Sequence, residues 1–262
     1  MKKIFTVTFL AIALTINFSP RIYSQNDCCG LGSIFSSLFQ SGVFGGYGIQ
    51  KFSAKGFNHY IDVYNENRSS TLTKKMDHFD QVTGFKVGAN VFQILVNDIL
   101  LGMKVSYQWM KSKNEATAML NGGTARREYD LTLKTFGIGF SLAYYASKNF
   151  DIKIVDAFLT WNSADLVNRL IEPNVPVSEE KLTNPDNSIG FSAGTGITFY
   201  PLPPYLSFEG SVGYSFFSIN EMEFNNGSRL IVDENTLDEM TDFIDAGGLF
   251  ATIQLNVAIP LN

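Results

Sequence analysis

Cysteine is scarce in this chain. There are two, Cys28 and Cys29, side by side. Neighbouring cysteines do not bridge each other without strain, so no disulfide framework holds the fold. They stand as free thiols or as bonds to another chain in an oxidising compartment. A lipid-modified cysteine wants a small-residue motif before it, and Gln25, Asn26 and Asp27 stand there instead. Histidine is equally rare, with His59 and His78 alone. Charged residues make up 17% of the chain, fewer than a soluble enzyme of this size usually carries. The formal net charge of −5 argues against nucleic acid as a partner. Past the N-terminus no apolar run approaches the roughly 20 residues a membrane helix needs, so any crossing of a bilayer falls to strands. There is no phosphate-binding glycine loop, no metal-ligand spacing and no solenoid-length repeat, so no cofactor is expected.

What is present begins with a targeting segment. Lys2 and Lys3 form a basic start, residues 4–18 are mostly apolar, and Ser24 is a small residue before a cut that leaves Gln25 first. The pattern is that of a cleaved secretory signal peptide over residues 1–24. Residues 25–41 read as a periplasmic segment, where Leu31, Ile34, Phe35, Leu38 and Phe39 have the spacing of a short amphipathic helix.

From residue 42 the chain alternates apolar and polar residues with period two. The clearest stretch is the last. Leu249, Ala251, Ile253, Leu255, Val257, Ile259 and Leu261 alternate with Thr252, Gln254 and Asn256, then Ala258 and Pro260. Such a strand offers one face to lipid and one to water. About eight such runs recur, at 42–52, 82–95, 98–113, 126–146, 150–162, 188–200, 205–224 and 247–261. Tight turns at 96–97, 147–149 and 201–204 alternate with long polar connections at 53–81, 112–125, 163–187 and 225–243. These features predict an all-β fold over residues 42–262: an eight-stranded antiparallel transmembrane β-barrel with short periplasmic turns and long external loops carrying short helices. In this the chain resembles the small bacterial outer-membrane barrels of the OmpA, OmpX and OmpW kind, and FNHYIDVYNEN after the first run is similar to barrel proteins of Bacteroidota. The resemblance implies an outer-membrane location. Where that family usually ends in an aromatic residue, this chain ends Pro260-Leu261-Asn262.

The alternation assigns faces. Lys104 fixes the phase of the third run, because a lysine on the lipid face at mid-membrane costs roughly 2–4 kcal/mol. Ile99, Leu101, Met103, Val105, Tyr107 and Trp109 then face lipid. The fifth run slips phase near Ile154-Val155, the signature of a bulge. Tyr107, Trp109, Tyr144, Trp161, Phe199, Tyr205 and Tyr214 fall near strand ends as interfacial girdles. Four ionisable residues fall inside at middle depth: Lys86, Lys104, Asp156 and Glu209. Buried charges are costly unless paired, so these are expected to pair across the lumen as a stiffening plug. An eight-stranded barrel has an interior only just wide enough for side chains. Inward Phe44, Phe92, Tyr145 and Phe217 narrow it further, which excludes a general diffusion pore.

In the first long connection Phe57, Tyr60, Ile61 and Tyr64 have helical spacing, suited to lying on the lipopolysaccharide surface or capping the barrel mouth. Leu166, Val167, Leu170 and Ile171 suggest a helix at 163–171, and Leu237, Met240 and Ile244 suggest another in the last connection. Asp233, Glu234, Asp238, Glu239, Asp242 and Asp245 cluster there without calcium-loop spacing, which reads as a solvated acidic loop. His59 and His78 lie near Asp62, Asp77, Asp80, Ser69 and Ser70, but no spacing there forms a catalytic signature, so an enzyme is not expected. The function expected is structural contact through the external loops: surface contact, adhesion, or a subunit role in an outer-membrane assembly. Partners are then outer-membrane lipid and lipopolysaccharide and proteins of such an assembly. A narrow or gated channel for small or apolar solutes ranks second, a lipid-modifying enzyme third and a secreted soluble barrel last.

Overall fold

The computed structural model describes residues 40–96, 98–120, 122–233 and 238–260. The expected cleavage site, the cysteine pair, the 31–39 segment, Glu234, Leu237 and Leu261 lie outside them. The elements are β1 (Gln40–Lys51), α1 (Lys55–Asn67), β2 (Leu72–Lys74), β3 (Gln81–Val96), β4 (Ile99–Leu120), β5 (Gly123–Ser147) and β6 (Phe150–Ile171). Then follow β7 (Ser178–Thr183), β8 (Ser188–Leu202), β9 (Leu206–Phe216), β10 (Glu223–Phe224), β11 (Ile231–Asp233), β12 (Asp238–Glu239) and β13 (Leu249–Pro260).

Eight of the strands close into a ring in the order β1-β3-β4-β5-β6-β8-β9-β13, every neighbour antiparallel. The first strand closes it: β1 pairs with β3 on one side and with β13 on the other, Tyr47 lying opposite both Phe85 and Ile253. Closure leaves no open edge among the eight and gives every strand an inside and an outside. The short connections β3–β4, β5–β6 and β8–β9 all fall at one end. The start of β1 and the end of β13 lie at that end too, Gln40 opposite Pro260.

At the other end the sequence expectation needs three corrections. Residues 112–125 are not a loop. β4 and β5 run on as one ladder to Leu120 and Gly123. The 25 residues of β5 far exceed the roughly 9–11 that span a bilayer. Residues 163–171 are not a helix but the continuation of β6, because both edges of that stretch find partners. Leu166 lies between Leu131 of β5 and Leu182 of β7, and its ladder bonds outweigh a helical spacing that the same residues also satisfy. In the last connection Met240 and Ile244 are buried, but the backbone there is irregular. Ile244 bridges Ile219, and the Phe217–Met222 segment turns inward, so the seventh run ends at Phe216.

The expected first-connection helix is α1. Phe57 and Ile61 are its fully buried stripe. They pack on Phe79, Tyr129, Leu131 and Phe243, with the Phe57 and Phe243 ring centroids 4.9 Å apart. The helix therefore caps the barrel mouth. Its first amide lacks a side-chain cap of its own, and the last connection supplies one: the Asp245 carboxylate accepts the Lys55 N–H at 3.0 Å and pairs with the Lys55 ammonium at 3.1 Å.

Partial burial works against a charged Asp245, but the Lys55 N–H, the Ser53 hydroxyl and the Lys55 ammonium outweigh it and hold the carboxyl below its usual 3.8. Its contribution to stability is therefore full above 3.8 and is lost as the pH falls through the depressed value. Asp245→Ala should cost about 0.5–2 kcal/mol at neutral pH. Urea unfolding of the refolded protein at pH 7 and pH 3 should show that difference shrinking at the lower pH. An unchanged difference would remove Asp245 from the cap.

Candidate functional site

The wall and the lumen are chemically opposite. Outward residues at mid-height are apolar and exposed, among them Ile253 at 72%, Phe140 at 59% and Val212 at 56%. Inward residues on the same strands are polar and buried: Thr252, Gln254 and Asn256 on β13, and Ser207, Glu209 and Ser211 on β9. Aromatic residues edge the apolar band. Tyr47, Phe85 and Trp109 sit side by side on three adjacent strands, with centroid separations of 5.1 and 5.9 Å. Phe136 meets Trp161 at 5.8 Å, and Tyr144, Phe199 and Tyr205 mark the short-turn rim. On β5 the outward residues from Phe136 to Tyr144 span about the length a bilayer requires. A closed ring with a dry wall and a polar interior meets hydrocarbon with its wall. This is an outer-membrane β-barrel.

Inside, the four residues singled out by alternation divide. Lys104 lies 3.4 Å from Glu209 and 3.5 Å from Asp156. Lys86 makes no ion pair with them. Its ammonium stands 4.7 Å from the centroid of Phe158. A residue that the sequence reading did not single out completes the group. Lys153 pairs with Asp156 at 3.1 Å and also with Glu209. The bulge explains how. Ile154 drops out of the ladder with β5, and both Ile154 and Val155 drop out of the ladder with β8. Two successive residues then leave the lumen face, Ile154 being 49% exposed, and Lys153 and Asp156 both stay inside. The signal was present before the slip, where Asp151 and Lys153 share one phase and Ile152 and Ile154 the other.

The cluster fills its cross-section. Phe44 stacks into the room left by Gly88, where a side chain would overlap its ring. Asp151, nearer the short turns, accepts the Tyr200 hydroxyl at 2.6 Å. Small cavities lie on either side of the cluster among the described residues. One of about 30 Å³ touches Asn90, Lys104, Asp151 and Tyr200, and one of about 40 Å³ touches Gln50, Lys86, Gln108 and Thr160. A water needs about 10–15 Å³ by this measure, so each holds a few waters at most. The orphaned acceptors Asn90 Oδ1, Asp151 Oδ1 and Asp156 Oδ1 are natural partners for such waters.

Above the cluster the lumen becomes apolar. Met110, Leu131, Leu133, Phe217 and Phe243 form one packed core with the buried face of α1, and Phe52, Phe79, Val82 and Leu166 belong to it. The strands that continue beyond the wall carry this core outward as a folded head. His78 bonds Asp62 at 2.7 Å on its surface. Of the acidic cluster, Glu239 pairs with Arg229 and Asp245 caps α1. Among the described residues no group of acidic, histidine or cysteine side chains is arranged to hold a metal.

No protein-family model and no curated protein matches this sequence. Solved structures of similar arrangement include neisserial surface protein A, NspA, at 12% identity and a TM-score of 0.42, covering 84% of this chain and 96% of that one. Ail, the attachment invasion locus protein of Yersinia pestis, solved with the heparin analogue sucrose octasulfate, is 9% identical with a TM-score of 0.38, covering 85% and 99%. A major outer membrane protein from Thermus thermophilus is 12% identical with a TM-score of 0.41, covering 83% and 99%. The membrane assignment rests on the wall and lumen, not on these likenesses.

Removing one member of the cluster leaves a buried charge without its partner. Glu209→Gln should therefore destabilise the barrel by about 3–5 kcal/mol. Replacing Lys104 and Lys153 with Met and Asp156 and Glu209 with Leu together should cost far less than the four single changes summed. Urea unfolding from lipid vesicles measures both. A neutral Glu209→Gln would show that the cluster carries no strain when unbalanced.

Proposed function

We propose that this protein is a closed outer-membrane anchor whose external head makes contacts, with the surface of another cell, with lipopolysaccharide of its own leaflet, or with a protein of an outer-membrane assembly. The observation that carries this is the double stopper. A charge-paired layer fills the barrel at mid-height, and a packed apolar core under α1 fills its mouth. A conduit has no use for two successive seals. A contact protein gains from them, because they rigidify the head and tie it to the wall.

Further support comes from the head itself. Its strands are continuous with the barrel, and ion pairs such as Lys134–Asp165 at 2.5 Å and Arg169–Glu179 at 2.8 Å tie them together beyond the apolar band. Both ends of the barrel's strand sequence lie with the short turns, which supports a reading with those turns in the periplasm and the head outside. On this reading residues 1–24 are removed on export, and residues 25–41 stay on the periplasmic side.

Purified protein in planar bilayers should give no steady single-channel steps in 1 M KCl. Exchanging residues 117–126 for a two-residue Asn-Gly turn, which keeps Ala116 opposite Arg127, should leave the barrel folded but abolish retention of whatever partner the intact protein holds in mild detergent. Steady steps that disappear in Lys104→Ala would instead make the lumen a conduit and overturn the anchor reading.

A further inference from the structure

Five arginines lie among the described residues. Three are matched to carboxylates. Arg126 meets Glu115 and Glu128, Arg169 meets Asp130 and Glu179, and Arg229 meets Glu221, Glu223 and Glu239. The other two, Arg68 and Arg127, make no ion pair with any described residue, and they converge. The Arg68 guanidinium carbon lies 5.3 Å from the centroid of the Tyr64 ring, and that of Arg127 lies 5.2 Å from the same centroid.

Their surroundings sharpen the point. Arg127 shares the inward phase of β5 with Ala125, Tyr129 and Leu131, so it stands directly outside the apolar core of the head. Its Nε is buried and has no hydrogen-bond acceptor. Asn168, opposite Tyr129 on β6, has its Oδ1 equally unpartnered, while its amide donates to Glu180 at 3.0 Å. Glu180 is the carboxylate whose field reaches Arg127, but it lies beyond ion-pair range and is held by Asn168. The Tyr60 and Tyr129 hydroxyls bond each other at 2.8 Å and offer Arg127 no charge. A buried guanidinium N–H without an acceptor is costly, and two guanidinium groups around one ring repel. The tyrosine face offsets only part of this.

We propose that Arg127 and Arg68, held by Tyr64, form an oxyanion site in the head that takes a phosphate or sulfate group. The planar guanidinium fork matches such a group with two parallel hydrogen bonds, and the ring fixes the fork in place. Half-buried Arg127 supplies the more fixed contact, and exposed Arg68 at the end of α1 closes over the bound group. The group can come from two sources: a phosphorylated lipid of the surrounding leaflet or a free anion in the medium. The inference rests on the head being the contact surface and names what one part of that surface recognises.

The refolded protein in a neutral detergent is titrated with inorganic phosphate and with sulfate at low ionic strength, with chloride as the control. Saturable binding of at least one oxyanion is expected, with chloride inert. Arg127→Gln should weaken it tenfold or more, and Arg68→Gln should weaken it less. Arg229→Gln, which removes a matched arginine, should leave it unchanged. Arg68 is exposed, so its variant keeps the test valid if Arg127→Gln fails to fold. Nanodiscs with phosphorylated or dephosphorylated lipopolysaccharide then separate the sources. A higher unfolding temperature with the phosphorylated form alone assigns the leaflet, and equal temperatures assign the free anion. No saturable binding beyond chloride, or undiminished binding by Arg68→Gln and Arg127→Gln, overturns the site. Those results leave the bilayer measurements above, and hence the anchor reading, untouched.

Discussion

The pairing of β1 with β13 is the contact on which the other features depend. Without it the sheet has two open edges, and in hydrocarbon each unpaired backbone group costs several kcal/mol. With it, the strands at membrane depth are paired on both sides save at the bulges, and side chains face the two solvents. The period-two alternation follows directly. One face must be as apolar as lipid, and the other is freed from that demand. That is why Ile253 can stand almost bare while its neighbours Thr252 and Gln254 are buried.

A lumen freed from lipid is not thereby filled with water. Eight strands enclose a narrow space, and the chain fills it in two different ways. At mid-height it uses charges, and the bulge at Ile154 lets one strand contribute both a cation and an anion to the same layer. Nearer the mouth it uses apolar side chains beneath a helix. The change from polar to apolar filling coincides with the wall leaving the membrane. Outside, the strands no longer need apolar outer faces, and salt bridges appear there instead. The head is therefore a small water-soluble core built on the same strands as the membrane barrel.

The barrel was legible in the sequence because lipid imposes a strict rule on half of all strand positions. Lys104 alone sets the phase of β4, and the tight turns set the strand count. The mouth-capping helix was legible for a related reason: Phe57 and Ile61 repeat on one face among polar neighbours. Beyond the membrane the rule relaxes, and there the reading failed. Residues 112–125 looked like a loop because nothing forces their outer face to be apolar. Residues 163–171 fit both periods, and only the partners Leu131 and Leu182, distant in sequence, decide between them. Lys153 was missed because the bulge splits its strand into two phases, and the residues after the slip do not report the one before it, to which Lys153 belongs. The convergence of Arg68 and Arg127 on Tyr64 depends on how α1 docks against β5, which no local pattern encodes.

The most direct test of the closed, lipid-facing wall is a nitroxide scan of β13 in lipid vesicles, one label at a time from residue 249 to 259. Oxygen, which concentrates in hydrocarbon, should relax labels at 249, 253, 255, 257 and 259 strongly and those at 252, 254 and 256 weakly. A profile without alternation, or with its maxima at 252, 254 and 256, would contradict the barrel as described.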